Sequence, residues 1–252
     1  MKWMIVEKAE ELANVSYQLL KQEIVRHPEG LTIGLATGSS PLGVYEEWRK
    51  DQVDCRHVTT VNLDEYVGLS PDHPHSYHTF MQEHLFDAVD FKESYVPIGN
   101  TADPSEESDR YEALVRKLGI DIQLLGIGSN GHIAFNEPGT PFDAKTHVTE
   151  LTESTRIANQ RFFDRLGDVP TKAITMGIGT IMEAKKILLV ASSERKAQAI
   201  RDMMEGPATT ACPATILQRH ADVMVVLDEE AASLLSDEAK RTGRAAYTNF
   251  MK

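Results

Sequence analysis

Short apolar runs alternate along the chain with longer segments in which apolar residues recur at helical spacing. The apolar runs predict seven strands, at Trp3–Val6, Leu31–Leu35, Val58–Leu63, Ile122–Leu125, Ala173–Met176, Ile187–Ala191 and Val223–Leu227. The helical spacing predicts helices at Ala9–Arg26, Pro41–Lys50, Tyr77–Val89, Ser105–Leu118, Ser154–Arg165 and Glu194–Met204. Strands that are apolar on both faces are typical of a mostly parallel sheet covered by helices on each side.

The fold class that this pattern predicts is α/β, a Rossmann-like arrangement of three layers. No internal repeat, low-complexity tract or Pro/Gly/Ser-rich linker interrupts the 252 residues. We therefore expect a single domain over residues 1–252. In such sheets ligands bind beyond the carboxyl ends of the strands, so the loops after the strands are where chemistry is expected.

Composition and charge narrow the possible partners. A net charge of −12 disfavours nucleic acid and anionic membranes, and an anionic substrate would need locally clustered cations. No stretch is apolar for the roughly 18 residues of a membrane span, and the N-terminal segment carries Glu7, Glu10 and Glu11 where a signal peptide would be apolar. Two cysteines without CxxC spacing, Cys55 and Cys212, indicate buried core thiols in a reducing compartment, so a cytoplasmic location is expected.

The loop after the second predicted strand, TGSSP, has the character of an anion-binding turn. Thr37, Gly38 and Ser39 precede Ser40, which suits an N-cap, and Pro41, which suits the first helical position. Glycine lets the backbone approach a ligand, and the free N–H groups and dipole of the helix favour an anion. A plain capped turn explains the same residues, and neither a Walker A loop nor a nucleophile elbow fits them.

Two acidic residues, Asp64 and Glu65, follow the third predicted strand in NLDEYVGL. A carboxylate at a strand end can act as a general base when burial raises its proton affinity. The alternative is a solvated acid in a surface turn.

The stretch GIGSNGHIAFNEPG satisfies the G-x-G-x-x-G fingerprint of a dinucleotide-binding turn. That turn needs a helix after its third glycine, but Pro138 and Gly139 follow Gly131 too closely for one. The pattern therefore predicts a loop that carries Asn130, His132 and Glu137 and suits proton transfer. A zinc site is disfavoured because a third ligand at suitable spacing is missing.

Two cations in the second half of the chain are candidates for the positive charge that an anionic substrate needs. Arg161 lies in a predicted helix, and Lys196 lies in the first turns of another, where a cation opposes the helix dipole. Either can also be an ordinary solvated charge. A histidine-rich segment, DHPHSYH from Asp72 to His78, is interpreted as a surface loop or a lid and not as a metal site.

Taken together, TGSSP, NLDEYVGL, GSNGHIAFNEPG, STRIANQRFF and SERKA resemble, in this order, the glucosamine-6-phosphate deaminases, from about Gly34 to the end of the chain. The pairing of GHIAFNEPG with LDEYVGL is specific. The 6-phosphogluconolactonases of the same fold lack the FNEP continuation and have arginine where Tyr66 stands here.

The resemblance implies an enzyme that converts glucosamine 6-phosphate and water into fructose 6-phosphate and ammonium without a metal or an organic cofactor. His132 would open the sugar ring, oriented by Glu137 and Asn130, and Asp64 would move the proton from C2 to C1. The phosphate would bind at Thr37, Gly38, Ser39 and Ser40 together with Arg161 and Lys196.

Two departures from the family pattern matter. Many members have aspartate where Asn130 stands, so we expect the amide to accept a hydrogen bond from the imidazole without bringing a charge. The allosterically activated hexamers carry arginine and lysine at the positions of His147 and Thr149, and they have a longer C-terminal tail. We therefore expect an unregulated monomer or low-order homo-oligomer. The alternatives are a lactonase-like hydrolase and a non-catalytic phosphosugar sensor, although the acidic chain offers no DNA-binding segment before its first strand.

Overall fold

The computed structural model describes all residues from Met1 to Lys252. It contains ten strands: β1 Lys2–Val6, β2 Leu31–Leu35, β3 Val58–Asn62, β4 Asp64–Tyr66, β5 Glu93–Tyr95, β6 Ile122–Leu125, β7 His147–Glu150, β8 Lys172–Thr175, β9 Lys186–Ala191 and β10 Val223–Asp228. It contains eight α-helices: α1 Ala9–Arg26, α2 Ser39–Lys50, α3 Tyr77–Met81, α4 Pro104–Leu118, α5 Glu153–Asn159, α6 Ile178–Ile181, α7 Ala197–Glu205 and α8 Asp237–Phe250. A π-helical turn, Gln82–Phe86, continues α3, and 3₁₀ turns lie at Gln160–Phe162, Leu166–Asp168, Glu194–Lys196 and Pro213–Arg219.

Seven strands form one sheet in the order β1-β10-β9-β6-β2-β3-β5. All neighbours in this sheet run parallel. Alternate residues of each strand enter different cores: Val225 and Leu227 pack beneath α4 and α7, whereas Val226 packs with α1 and α2. The prediction of a mostly parallel sheet covered on both faces is therefore confirmed.

A second, small antiparallel sheet was not expected from the sequence. The predicted strand Ala173–Met176 belongs to it as β8, which lies between β4 and β7 instead of in the main sheet. A core of its own supports this sheet, with Tyr66, Phe135 and Phe163 among its buried side chains. Its strands pair antiparallel, β4 with β8 and β7 with β8.

The order of strands determines where a ligand can bind. From β2 the chain continues to β3 on one side, while β6 lies on the other side of β2, so the connections diverge between β2 and β6. A crevice forms at such a point, beyond the carboxyl ends of the strands. The loops that follow β2, β3, β6 and β9 all meet there.

Both cysteines are buried and free, as predicted. None of the helices combines the length and the apolar stretch that a membrane crossing needs.

Candidate active site

A cavity of about 260 Å³ opens at the carboxyl ends of β2, β3, β6 and β9. Nine of the ten residues predicted for the site line it: Thr37, Gly38, Ser39, Ser40, Asp64, Asn130, His132, Arg161 and Lys196. The tenth, Glu137, lies behind His132 and does not line the cavity. These residues come from five segments that are far apart in the sequence, and they meet only in the folded chain.

The first turn of α2 forms one end of the cavity. The helix begins at Ser39 with Gly38 as its N-cap, so the prediction that Ser40 caps a helix starting at Pro41 is wrong by two residues. Gly38 has φ of 93°, which a residue with a side chain rarely adopts, and no side chain caps the helix. The free N–H groups of this first turn therefore remain available to an anion.

Two cations lie at the same end. Arg161 donates a hydrogen bond from Nη2 to Ser39 Oγ at 3.2 Å, and its guanidinium lies 4.7 Å above the ring of Phe162. The helix predicted to carry Arg161 ends at Asn159, and Arg161 itself lies in a 3₁₀ turn. Burial lowers the pKa of Lys196, and the charges of Arg161 and Arg195 lower it further. A bound anion would compensate for this crowding of positive charge.

Asp64 is only 6% exposed, although it lines the cavity. Strand β3 ends at Asn62, and Asp64 begins β4 by pairing with Thr175, so the alternative of a solvated turn acid is wrong. Burial, and to a lesser extent the neighbouring Glu65, raises the pKa of Asp64 to about 8. A carboxylate with such a proton affinity is suited to accept a proton near neutral pH.

The adjacent Glu65 is fully engaged in holding the backbone. Its Oε1 accepts hydrogen bonds from the N–H groups of Tyr66 and Tyr77, and its Oε2 accepts one from His78. Burial raises the pKa of Glu65 to about 7, although these three bonds act in the opposite direction. Glu65 therefore fixes α3 against β4, and α3 presents Tyr77 to the cavity.

His132 lies opposite the Gly128 backbone, in the loop after β6. A Cβ atom at position 128 would lie 2.4 Å from the imidazole ring, so only glycine leaves room for it. The side chain of His132 is 23% exposed, and its Nδ1 lies 3.6 Å from Glu137 Oε2. That distance is longer than a hydrogen bond, but contacts of this kind often shorten when substrate binds.

Asn130 supports this loop differently from the sequence prediction. Its Oδ1 accepts a hydrogen bond from the backbone N–H of His132 at 3.2 Å, not from the imidazole. Its Nδ2 donates to Glu137 Oε2 at 2.7 Å. The amide therefore supplies a donor to the Glu137 carboxylate that an ionised aspartate at position 130 would not supply.

The Glu137 carboxylate receives donors on both oxygens. Oε1 accepts hydrogen bonds from the hydroxyls of Thr155 and Thr152, both at the start of α5. Burial raises the pKa of Glu137, but His132 and these donors outweigh it and lower the pKa to about 2. Glu137 therefore stays ionised behind the imidazole across the physiological range.

Tyr77, Thr155 and Asn159 are among the cavity residues that the sequence analysis missed. Tyr77 and Asn159 both donate hydrogen bonds to the Tyr66 hydroxyl, at 3.2 and 2.9 Å. Their positions in the sequence were the signal that could have found them. Tyr77 lies in HSYHTF, within the possible lid, and Thr155 and Asn159 lie in STRIANQRFF with the candidate cation Arg161.

The segment from His73 to His78 lies beside this aromatic group. His75 contacts the ring of Phe163, and Ser76 caps α3. Its role as a lid stays a prediction. No group of three or more His, Cys, Asp or Glu side chains has the arrangement of a metal site.

After Gly131 the chain forms turns and a single bridge between Ile133 and Asn136, with no helix. The expectation that the glycine fingerprint is accidental is therefore confirmed at the level of geometry. A parallel sheet whose cavity holds an uncapped helix terminus, two cations, a buried carboxylate and a histidine defines the class, an α/β protein with a candidate site for a small anionic ligand. A family model described as glucosamine-6-phosphate isomerases/6-phosphogluconolactonase matches residues 6–226, and the chain belongs to this family.

Among its relatives, a glucosamine-6-phosphate deaminase of Exiguobacterium sibiricum is 96% identical over 252 residues and is covered completely by this chain. A glucosamine-6-phosphate deaminase of Bacillus thuringiensis is 54% identical over 248 residues, which are 98% of this chain and 94% of that protein.

Solved structures agree with these relatives. A monomeric glucosamine-6-phosphate deaminase superimposes with a TM-score of 0.91 at 46% identity, over 93% of this chain and all of that chain. A 6-phosphogluconolactonase from Trypanosoma cruzi superimposes with a TM-score of 0.76 at 20% identity, over 93% of this chain and 97% of that chain. The second likeness concerns the fold alone.

Proposed function

We propose that this protein is a deaminating aldose-ketose isomerase that converts glucosamine 6-phosphate and water into fructose 6-phosphate and ammonium. One observation carries the proposal: Asp64 and His132 line the same cavity as the anion-binding turn of α2 with Arg161 and Lys196. Relatives of 54% to 96% identity that are named glucosamine-6-phosphate deaminases support it.

The phosphate end of the cavity anchors the sugar away from the reacting carbons. The N–H groups at Ser39 and Ser40, the Arg161 guanidinium and the Lys196 ammonium bind the phosphate oxygens in this scheme. This binding holds C1 and C2 in place and lowers the entropic cost of reaching the transition state.

Ring opening comes first. His132 takes the proton of the anomeric hydroxyl and delivers a proton to the ring oxygen, so the hemiacetal becomes an open aldehyde. Glu137, held ionised by Asn130 and Thr155, faces His132 Nδ1 and stabilises the protonated imidazole.

Asp64 then removes the proton from C2, which lies next to the carbonyl, and gives an enolamine. Return of this proton to C1 forms an imine at C2. Water adds to this carbon and ammonium leaves, which produces the ketone of fructose 6-phosphate. The raised pKa of Asp64 suits a group that must both accept and return a proton.

Ammonium release from glucosamine 6-phosphate tests the proposal. We expect turnover by the wild type and a loss of about 10²- to 10⁴-fold in Asp64→Asn, because a general base contributes that much. Asp109→Asn, which changes an exposed carboxylate of α4 that does not line the cavity, is the matched control and should keep full activity.

Substrate binding by Asp64→Asn, measured by calorimetry, should be retained. Absence of ammonium from the wild type would contradict the proposal, and hydrolysis of 6-phosphogluconolactone in its place would favour the lactonase alternative. Binding without either reaction would favour a sensor.

The remaining sequence predictions belong to this proposal. We expect one domain, a cytoplasmic location, and a monomer or low-order homo-oligomer. The structural neighbour described as monomeric supports the last of these.

A further inference from the structure

Ser193 has an unusual backbone conformation between β9 and the 3₁₀ turn that carries Lys196. Its φ is 82° and its ψ is 145°. This region is essentially reserved for glycine, and a residue with a side chain stays there only when its surroundings hold it. Ser193 and Ala134 are the only non-glycine residues of the chain with positive φ.

Ser193 makes three hydrogen-bonding interactions, and two of them connect it to the turn that carries the cation Lys196. Its carbonyl oxygen accepts from the backbone N–H of Lys196 at 3.0 Å, and its hydroxyl accepts from the N–H of Arg195 at 3.3 Å. The position of the Lys196 backbone therefore depends directly on the conformation of Ser193. Lys196 in turn places its ammonium in the cavity.

The third bond comes from a carboxylate that the proposed chemistry does not use. The N–H of Ser193 donates to Asp228 Oδ1 at 3.2 Å and to Oδ2 at 3.1 Å. Asp228 is 7% exposed, ends β10 beside β9, and also accepts from the N–H of Ala231 at 2.8 Å. It does not line the cavity.

We propose that Asp228 is a positioning residue for anion binding, which acts through Ser193 to hold the Lys196 ammonium at the phosphate end of the cavity. The negative charge of Asp228 makes the bond to the Ser193 N–H strong enough to maintain a conformation that serine otherwise avoids. Without it, Ser193 relaxes to negative φ and the turn that directs Lys196 is lost. The identity of the anion as the substrate's phosphate rests on the proposed function.

Titration calorimetry with inorganic phosphate tests the inference without any turnover. Asp228→Ala should weaken phosphate binding by about tenfold and raise KM for glucosamine 6-phosphate by a similar factor, with kcat within about twofold of the wild type. Asp121→Asn is the matched control. Its carboxylate also accepts a backbone N–H from another segment, that of Thr32 at 2.8 Å, but at the amino end of the sheet. This variant should bind phosphate as the wild type does.

A second variant separates positioning from a general structural effect. Glycine adopts positive φ without a penalty, so Ser193→Gly in the Asp228→Ala background should recover part of the phosphate affinity. If Asp228→Ala does not fold, Asp228→Asn replaces it, because the amide keeps the volume and an acceptor oxygen but removes the negative charge that strengthens the bond to the Ser193 N–H.

Wild-type phosphate affinity in a folded Asp228 variant, or no recovery with glycine, would overturn the inference. If phosphate affinity depends on Asp228 but the wild type releases no ammonium, the proposed reaction would be overturned and the inference would remain.

Discussion

Asp64 and Glu65 are adjacent carboxylates that the structure uses for different purposes. The Glu65 carboxylate accepts hydrogen bonds from three backbone N–H groups, and these bonds partly offset the rise in its pKa that burial causes. At Asp64 both causes raise the pKa, so only a ligand could stabilise its charged form. A buried carboxylate without hydrogen bonds to its charged form is unfavourable for the folded protein and favourable for proton abstraction. Stability and catalysis therefore make opposite demands at position 64.

This opposition predicts how the stability of Asp64→Asn depends on pH. Because the folded protein has a pKa of about 8 at Asp64 and the unfolded chain has one of about 4, the folded state binds the extra proton between these values. The free energy of unfolding contributed by this group therefore falls as pH rises through that window. Thermal unfolding at several pH values should show the stability of Asp64→Asn rising relative to that of the wild type between pH 5 and pH 8, by about 3–4 kcal/mol. A difference that is constant with pH would contradict the raised pKa.

Asn130 allows a second prediction at the residue scale. Asn130 Nδ2 donates to Glu137 Oε2 at 2.7 Å. In Asn130→Asp a carboxylate oxygen would replace this donor, and repulsion between the two carboxylates would raise the pKa of the pair. We expect kcat to fall by about tenfold near neutral pH and to recover partly at higher pH, as one proton is lost from the pair. The kcat–pH profile measures this.

Asn130→Ala is the control for the loss of the amide alone. It removes the donor without adding a charge, so its profile should be lower but should show no new step with pH. If both variants had the same profile, charge repulsion would not be the reason for an amide at this position.

At the scale of elements, α2 depends on the conformation of one glycine at its start. A Cβ atom at Gly38 would meet no other atom within 4 Å, so the effect of a substitution there is backbone strain alone. That strain changes the direction in which the chain enters the helix and hence the direction of its first N–H groups.

Gly38→Ala should lower the free energy of unfolding by about 1–2 kcal/mol and weaken phosphate binding severalfold. Gly119, which ends α4 with φ of 68° and is equally free of contacts, provides the matched control. Gly119→Ala should lose a similar stability and keep its phosphate affinity. Calorimetry and denaturant titration of both variants check this, and equal phosphate affinities would show that the α2 terminus does not bind the anion.

Elements with a strong apolar pattern were predictable from the sequence, and those without one were not. Strands β9 and β10 are apolar at every position except Lys186 and Asp228 at their ends, so both were predicted to within a residue. β7 has four partly or fully exposed residues and therefore no apolar pattern to detect. α8 fully buries only Gly243, and its apolar face consists of the partly buried Ala239, Ala246, Tyr247 and Phe250, which is a weak pattern. Their formation depends on partners distant in the chain, β8 for β7 and β1 for α8.

The site followed the same rule. Residue type, position in the loops and helices near the strand ends and the family resemblance together predicted nine residues that line the cavity. The sequence could not show that Glu65 is hydrogen-bonded to the backbone while Asp64 faces the cavity. Two of the three N–H donors to Glu65 belong to Tyr77 and His78, which approach it only in the folded chain. For the same reason it assigned the wrong partner to the Asn130 amide.

At the scale of the whole molecule, an acidic protein encloses a small cationic site. The net charge is −12, yet Arg161 and Lys196 meet at one end of the cavity, where burial limits screening. A phosphate that reaches this end replaces repulsion between cations with attraction. Phosphate should therefore stabilise the folded protein as a whole.

This effect can be measured together with the predicted single domain. Fluorescence from the two tryptophans, Trp3 at the β1 edge and Trp48 in the core of α2, should report one unfolding transition that coincides with the loss of helical circular dichroism. Millimolar phosphate should raise the midpoint of this transition. Two separate transitions would contradict a single cooperative domain.

The glycine at position 128 shows what a consensus pattern can conceal. Gly128 is the second glycine of the G-x-G-x-x-G pattern, but its lack of a side chain makes room for the imidazole of His132. Anyone who redesigns this pocket for another sugar should exclude position 128 from the library of variants. A methyl group at position 128 would displace the imidazole ring of His132. An inactive variant would then wrongly suggest that the new sugar does not bind.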